Sequence, residues 1–310
     1  MDKFIWGVIK NARPRQWIKN FALFAGLIFS GQLDNPLALA TVTKAFIIFC
    51  GLSSAMYFIN DIFDIDRDKE HPFKKNRPIA AGIIPTRAAI VLALGAIAVL
   101  LPLSYKVSPA LFYTALVYLI IQLCYSAYLK SIILIDVLVI AAGFVLRVYA
   151  GVWVIDAHLS VWFLLCIISF SLFMAIGKRR SELTLMQQQA ARHRETLLHY
   201  PENLLDILTS MFANSTWLTY ALFAFQQPPI ILKPVFSSFL NLAALPLIEA
   251  KYLMASVPLV IYGVMRYLYI IYEKREGESP ERVLLTDTPL LVTVISWIIL
   301  IVLIIYYLGG

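Results

Sequence analysis

Tyr57-Phe58-Ile59-Asn60-Asp61-Ile62-Phe63-Asp64-Ile65-Asp66-Arg67-Asp68 is the polar end of an otherwise apolar segment, and it crowds four carboxylates into eight residues. Continued as a helix, Asp61, Asp64 and Asp68 share a sector of about 60° while Asp66 points away. Carboxylates this close repel and raise one another's pKa, so the face is best tolerated with a hard cation among its oxygens. Oxygen-only ligands suit Mg²⁺, and a metal-bound phosphate is the chemistry such a face serves. The competing reading is a solvated acidic loop that ends a membrane helix.

What precedes and follows the acids decides the class. With 60% hydrophobic and 15% charged residues over 310 positions and a mean hydropathy of +0.78, the chain has more apolar surface than a soluble core can hide. It reads as an all-α polytopic membrane protein. At about 20 residues per crossing, spans fall near Trp17–Leu33, Ala40–Phe63, Pro85–Tyr105, Ser108–Tyr128, Ile132–Val152, Leu159–Ile176, Leu205–Phe225, Tyr252–Tyr272 and Pro289–Leu308, nine in all. The expected organisation is a single domain over 1–310, with an interfacial amphipathic arm at 1–16 and an external, proline-broken loop at 226–251. A Gln-, Arg- and His-rich helical cap is expected over Ser181–Asn203. Cys50, Cys124 and Cys166 lie in apolar segments without ligand spacing, which argues against disulfides and zinc. The N-terminus lacks the apolar run and cleavage site of a signal peptide.

A net charge of +7 and a pI near 9.2 raise nucleic acid as a partner, but the basic residues are spread over loops between spans, so none is expected. With loops assigned alternately, twenty of the 26 Lys and Arg fall on the side of the N-terminal arm and the acid cluster. Only Lys44, Lys106, Lys233 and Lys251 fall on the other, and Arg147 and Arg266 lie inside spans. The positive-inside rule then puts the N-terminus and the acids in the cytoplasm, the C-terminus outside, and the chain in the inner (cytoplasmic) membrane.

Further polar residues gather on the cytoplasmic side. Arg77, ahead of Pro78, is placed to grip a phosphate as a planar fork, whereas Lys74 and Lys75 read as ordinary topological charge. Tyr128 and Lys130, in the junction Tyr125–Lys130, offer contacts to phosphate or ribose oxygens; a boundary tyrosine also suits an aromatic belt. Inside the fifth span Asp136, Gly143 and Arg147 form a stripe, its two charges roughly 16 Å apart along the axis, so each needs a partner or ligand elsewhere. After the sixth span comes Gly177-Lys178-Arg179-Arg180-Ser181-Glu182, with Lys178 and Glu182 at i, i+4. Topology alone accounts for such cations; a clamp on a polyphosphate is the functional alternative.

Asn60-Asp61-x-x-Asp64-x-x-x-Asp68 near the end of the second span, followed by Arg77-Pro78-Ile79-Ala80-Ala81-Gly82, resembles the UbiA superfamily of intramembrane prenyltransferases over nearly the whole chain. The resemblance implies a nine-helix bundle with a cytoplasmic polar cap, in which Asn60, Asp61, Asp64 and Asp68 hold Mg²⁺ and a diphosphate. Members of the usual kind carry a second aspartate-rich motif after the sixth helix, where this chain has Lys178, Arg179, Arg180 and Glu182. That difference, with Arg13-Pro14-Arg15-Gln16-Trp17-Ile18-Lys19-Asn20, the Tyr125–Lys130 junction and Pro280-Glu281-x-x-Leu284-x-x-Asp287, is similar to the decaprenyl-phosphate phosphoribosyltransferase branch. This implies phosphoribosyl diphosphate as donor and a polyprenyl phosphate as acceptor. The donor's 5-phosphate would fall to some combination of Lys178, Arg179, Lys130 and the N-terminal arm, including Lys19. Self-association into a homo-oligomer is left open. Two other readings stand beside this one. One is a prenyltransferase moving an isoprenyl group onto an aromatic or other acceptor. The other is a transporter or lipid-binding scaffold, for which an odd number of spans and the lack of an internal repeat are unfavourable.

Overall fold

The computed structural model describes residues 3–70, 74–188, 200–228, 251–274 and 280–308. These residues form helices and turns without a strand. Seven of the helical stretches are long and apolar enough to cross a membrane: Pro36–Phe63, Thr86–Val107, Pro109–Ala127, Ile135–Trp153, Val161–Thr184, Tyr252–Glu273 and Thr288–Leu308. The chain is a multi-pass membrane protein. Most of the expected external loop and much of the expected cap lie outside the described residues.

The described residues divide into two compact units, one up to His158 and one from Leu159 onward. The first unit opens with helix α1 (Lys3–Ala12), whose Phe4, Ile5, Trp6 and Ile9 are exposed. Lys10 stacks over the Trp6 ring at 4.8 Å, the pattern of a helix lying at an interface. The expected first span is not one regular helix. After Arg13, which takes a left-handed backbone conformation (φ 52°), Pro14–Leu23 forms a 3-10 segment, and only Phe24–Phe29 is α-helical (α2). Pro14 sets the start, having no N–H to lose in the first turn. The segment persists because it is wedged against a neighbour: a Cβ added to Gly151 would collide with the Leu23 carbonyl, and one added to Gly26 would lie 2.6 Å from Val152. Small residues permit this backbone approach, which is how helices pack where water supplies no driving force.

Helix α3 (Pro36–Phe63) starts where the Asn35 side chain accepts the N–H groups of Leu37 and Ala38, with Pro36 in the first turn. It is the spine of the unit. Its Val42, Ala45, Phe49 and Leu52 pack with Leu23 and Leu27 of the N-terminal segment and with Leu111, Ala115 and Tyr118, the last three on α6 (Pro109–Ala127). Between α3 and α6 the chain runs through the short α4 (Ile65–Glu70) and α5 (Thr86–Val107). A second cluster joins Ala55 and Phe58 of α3 to Ile79, Ile84, Ala89 and Ala93. That cluster seats the Arg77–Gly82 turn beside the end of α3. Helix α7 (Ile135–Trp153) completes the unit.

The second unit pairs α8 (Val161–Gln188) with α9 (Glu202–Gln226), followed by α10 (Val257–Tyr269), α11 (Pro280–Thr286) and α12 (Thr288–Val302). Phe173, Ala213, Tyr267, Ile270, Val283 and Leu290 form its core. Asp287 caps α12 by accepting the Leu290 N–H and takes a two-pronged contact from Arg266 at 3.0 and 2.8 Å. The intraspan Arg266 therefore has a carboxylate partner, the arrangement such a cation requires.

Candidate active site

The acid-bearing helix does not run straight through. α3 ends at Phe63 and Asp64 occupies its C-cap at φ −97°, ψ 6°, yet the Asp68 N–H still donates to the Asp64 carbonyl at 2.8 Å. The i, i+4 relation survives the break and the expected face survives with it. The Asp61 side chain is 2% exposed and that of Asp68 5%. Asp66 is 92% exposed and, among the described residues, pairs with Lys69 at 3.6 Å.

Repulsion among the three acids is relieved by the protein's own cations. Arg77 Nη1 donates to Asp61 Oδ1 at 3.0 Å and to Asp68 Oδ2 at 2.6 Å. Lys130, buried at the end of the Tyr125–Lys130 junction, donates to Asp64 Oδ1 at 2.6 Å. Asn60 Nδ2 approaches Asp64 Oδ2 at 3.2 Å and fixes the other oxygen. Arg13 Nη2 donates to the same Asp61 Oδ1 at 2.5 Å, its guanidinium 4.9 Å above the Tyr57 ring. A metal is therefore not needed to make the acid face tolerable, and the repulsion argument for one is answered by Arg13, Arg77 and Lys130. Burial pushes the Asp68 carboxyl above its ordinary pKa, with the Arg77 charge and hydrogen bond acting in the opposite direction.

These residues fit a hard cation in donor chemistry, being carboxylate oxygens on one face. Asp61 Oδ2 is buried and has no hydrogen-bond partner among the described residues, an acceptor with capacity left over. Among the described residues no three acidic, histidine or cysteine side chains converge to metal-binding distance. The Arg77 guanidinium bridging Asp61 and Asp68, and the Lys130 ammonium on Asp64, supply a physical reason.

The other expected site residues are placed as follows. Tyr128 is exposed at the junction, and Lys19 is half-buried on the 3-10 segment. Arg147 is buried and spends its fork internally: Nε donates to Asn20 Oδ1 at 2.8 Å, Nη1 to the Gly143 carbonyl at 2.7 Å and Nη2 to the Tyr118 hydroxyl at 2.9 Å. In the second unit, buried Arg179 donates to Glu182 Oε2 at 2.6 Å, and Lys178, its side chain 37% exposed, stands 3.7 Å from Glu182 Oε1. Arg180 is held by Asp206 and Glu202 at 2.6 and 2.7 Å. Arg13 was expected only as part of the N-terminal arm, and its contact with Asp61 was not foreseen. Its signal was present, a cation directly ahead of Pro14, but nothing in the local pattern connects position 13 to position 61.

A helical membrane unit that ends in an Asn-Asp-x-x-Asp-x-x-x-Asp face defines the class. The sequence model of the UbiA prenyltransferase family matches residues 20–286, and the chain belongs to that family. Within it, the chain is 34% identical to the decaprenyl-phosphate phosphoribosyltransferase of Corynebacterium glutamicum, over 97% of this chain and 87% of that protein. It is 36% identical to the enzyme of the same name from Mycolicibacterium smegmatis, over 94% and 90% of the two chains. Among solved structures it shares the fold of a UbiA homolog from Archaeoglobus fulgidus bound to GPP and Mg²⁺, with a TM-score of 0.65 at 20% identity over 96% of this chain and 99% of that one.

Proposed function

We propose that this protein transfers the 5-phosphoribosyl group of phosphoribosyl diphosphate to a polyprenyl phosphate and releases diphosphate. The observation that carries the proposal is nearly full-length similarity, at 34% and 36% identity, to two proteins named for that activity. The acid face agrees with it: Asp61, Asp64 and Asp68 are interleaved with Arg77 and Lys130, a mixed set suited to a metal-bound diphosphate.

Asp61, Asp64 and Asp68 would hold Mg²⁺, with Asn60 orienting Asp64. Bound there, Mg²⁺ supplies neutralisation of the diphosphate and of the charge that gathers on it as it leaves. Arg77 is a fork able to exchange a carboxylate for a phosphate oxygen, and Lys130 is a point charge able to do the same. Ribose C1 loses diphosphate through an oxocarbenium-like state, and an oxygen of the polyprenyl phosphate forms the new bond. No general base is required, because the acceptor phosphate is already ionised. Charge-assisted contacts that strengthen as the leaving group gains charge are the chain's contribution to rate.

The test supplies purified protein with polyprenyl phosphate, Mg²⁺ and either ribose-labelled phosphoribosyl diphosphate or labelled isoprenyl diphosphate. Label should enter the lipid fraction only from the phosphoribosyl donor. Incorporation from isoprenyl diphosphate alone would instead support the prenyltransferase reading, which the GPP-bound fold relative keeps in view.

The 20-to-4 charge split supports a cytoplasmic acid face in the inner membrane, where a soluble phosphoribosyl donor would be met. A cysteine introduced at Asn76 should react with an impermeant maleimide only from the cytoplasmic side, and labelling from outside would reverse the orientation.

A further inference from the structure

Asp61 stands out for how its oxygens are used. Oδ1 takes two guanidinium donors, Arg13 at 2.5 Å and Arg77 at 3.0 Å, while Oδ2 is buried without a partner among the described residues. The three acids are matched one for one by Arg13, Arg77 and Lys130, and Lys74 adds positive potential at Asp68. A divalent cation entering this neutral cluster would leave it strongly positive at closely spaced sites. It enters readily only if protein cations leave the carboxylates, or if an anion arrives with it.

Arg13 is the cation best placed to leave. Arg77 is tied to two carboxylates and seated by the Ile79 and Ile84 cluster, and the Lys130 side chain is 7% exposed. The Arg13 side chain is as exposed as that of Arg77, 26%, but holds one carboxylate oxygen, Asp61 Oδ1, among the described residues. Its backbone sits in the left-handed region at φ 52°, a conformation that disfavours a residue with a Cβ. It lies at the joint between α1 and the 3-10 segment. The same arm reaches the other side of the cluster, because Lys10 Nζ donates to the Asn76 carbonyl at 3.2 Å, one residue before Arg77.

We propose that Arg13 is an exchangeable counterion: it holds Asp61 when no donor is bound, and passes to the diphosphate when metal and donor enter together. The inference rests on reading the acid face as a metal–diphosphate site, but not on which group the diphosphate carries. Its consequence is coupling. Arg13 opposes the metal alone and favours the metal–diphosphate pair, so each ligand strengthens the other beyond their affinity in solution.

The measurement uses the full chain in detergent and Mn²⁺ as a spectroscopic substitute for Mg²⁺, with bound and free Mn²⁺ separated by electron paramagnetic resonance. Titrations are run with Mn²⁺ alone and with Mn²⁺ plus inorganic diphosphate, on wild type, Arg13→Gln and the exposed control Arg15→Gln. Arg13→Gln should bind Mn²⁺ alone about tenfold more tightly and bind the Mn²⁺–diphosphate pair about tenfold more weakly, the scale of one charge-assisted hydrogen bond. Arg15→Gln should match wild type in both. A merely structural Arg13 would weaken both when replaced, and a bystander would change neither; either pattern overturns the proposal. Arg13→Lys keeps the charge without the fork and should move both affinities in the same directions by less. It carries the test if Arg13→Gln does not fold. Turnover of isoprenyl diphosphate in place of the phosphoribosyl donor would sink the proposed function but leave these titrations standing, since both donors end in diphosphate.

Discussion

Asp61→Ala, Asp64→Ala and Asp68→Ala should each lower the rate of transfer by about 10²–10³-fold, the scale for removing one preorganised electrostatic group from a reacting site. Asp61→Ala and Asp68→Ala should remain folded, whereas Asp64→Ala strands the buried Lys130 ammonium and should also lower the thermal midpoint. The cations left behind at Asp61, Arg13 and Arg77, have side chains 26% exposed and can be hydrated, so no fully buried charge is stranded there. Asp66→Ala should change the rate by no more than about twofold, because its pair with Lys69 is exposed and surface pairs contribute little. Steady-state rates for the four variants, alongside their thermal midpoints, check the account. An Asp66→Ala loss as large as that of Asp64→Ala would remove the basis for the buried acid face.

Arg147→Met should lower the stability of the protein by about 3 kcal/mol. The substitution roughly keeps the volume but withdraws donors from Asn20 Oδ1 and the Tyr118 hydroxyl. An acceptor stranded in an apolar interior costs about 1–3 kcal/mol, partly offset by no longer burying a guanidinium. Asn20 retains its contacts to Cys50 Sγ and Ser53 Oγ at 3.2 and 3.3 Å, which limits the damage on that side. Arg147→Ala adds a cavity and should be worse by about 2 kcal/mol. Thermal unfolding in detergent reads both effects. Arg147→Met melting with the wild type would show that the network does not hold the 3-10 segment to α6 and α7.

The acid face and Arg147 show how differently parts of the molecule are written in the sequence. The acid face was legible because spacing along one helix is local information: Asp61, Asp64 and Asp68 fall together at 3.6 residues per turn whatever surrounds them. The break at Asp64 was not legible, but it preserves the i, i+4 hydrogen bond from Asp68 and leaves the face intact. Arg147 was legible as a charge in a span that needs partners. Their identity was not, because Asn20 lies 127 positions away in sequence.

The membrane spans from Pro36 to Trp153 were readable from hydropathy, whereas the Asn35 and Ser108 caps that start two of their helices emerge only in the structure. The region expected as a first span misled, since its apolar composition is that of a regular helix. Pro14 at its start and the close contacts of Gly151 and Gly26 favour the mixed 3-10 and α form instead. The charge balance of the acid face was half legible. Arg77 and Lys130 were expected near phosphate, whereas their role as counterions to Asp61, Asp68 and Asp64 emerges only when the Arg77–Gly82 turn and the α6–α7 junction close on the end of α3.

On our proposal, the acid face binds the diphosphate end of a phosphoribosyl donor through a metal. Its most direct test is a structure of the protein with phosphoribosyl diphosphate and Mn²⁺, the metal located by its anomalous scattering. The expected result is a metal peak coordinated by Asp61 and at least one of Asp64 and Asp68, with the diphosphate on the metal and the Asp61–Arg13 pair broken. A metal and diphosphate bound away from these residues, with Arg13 and Arg77 still on Asp61, would contradict it.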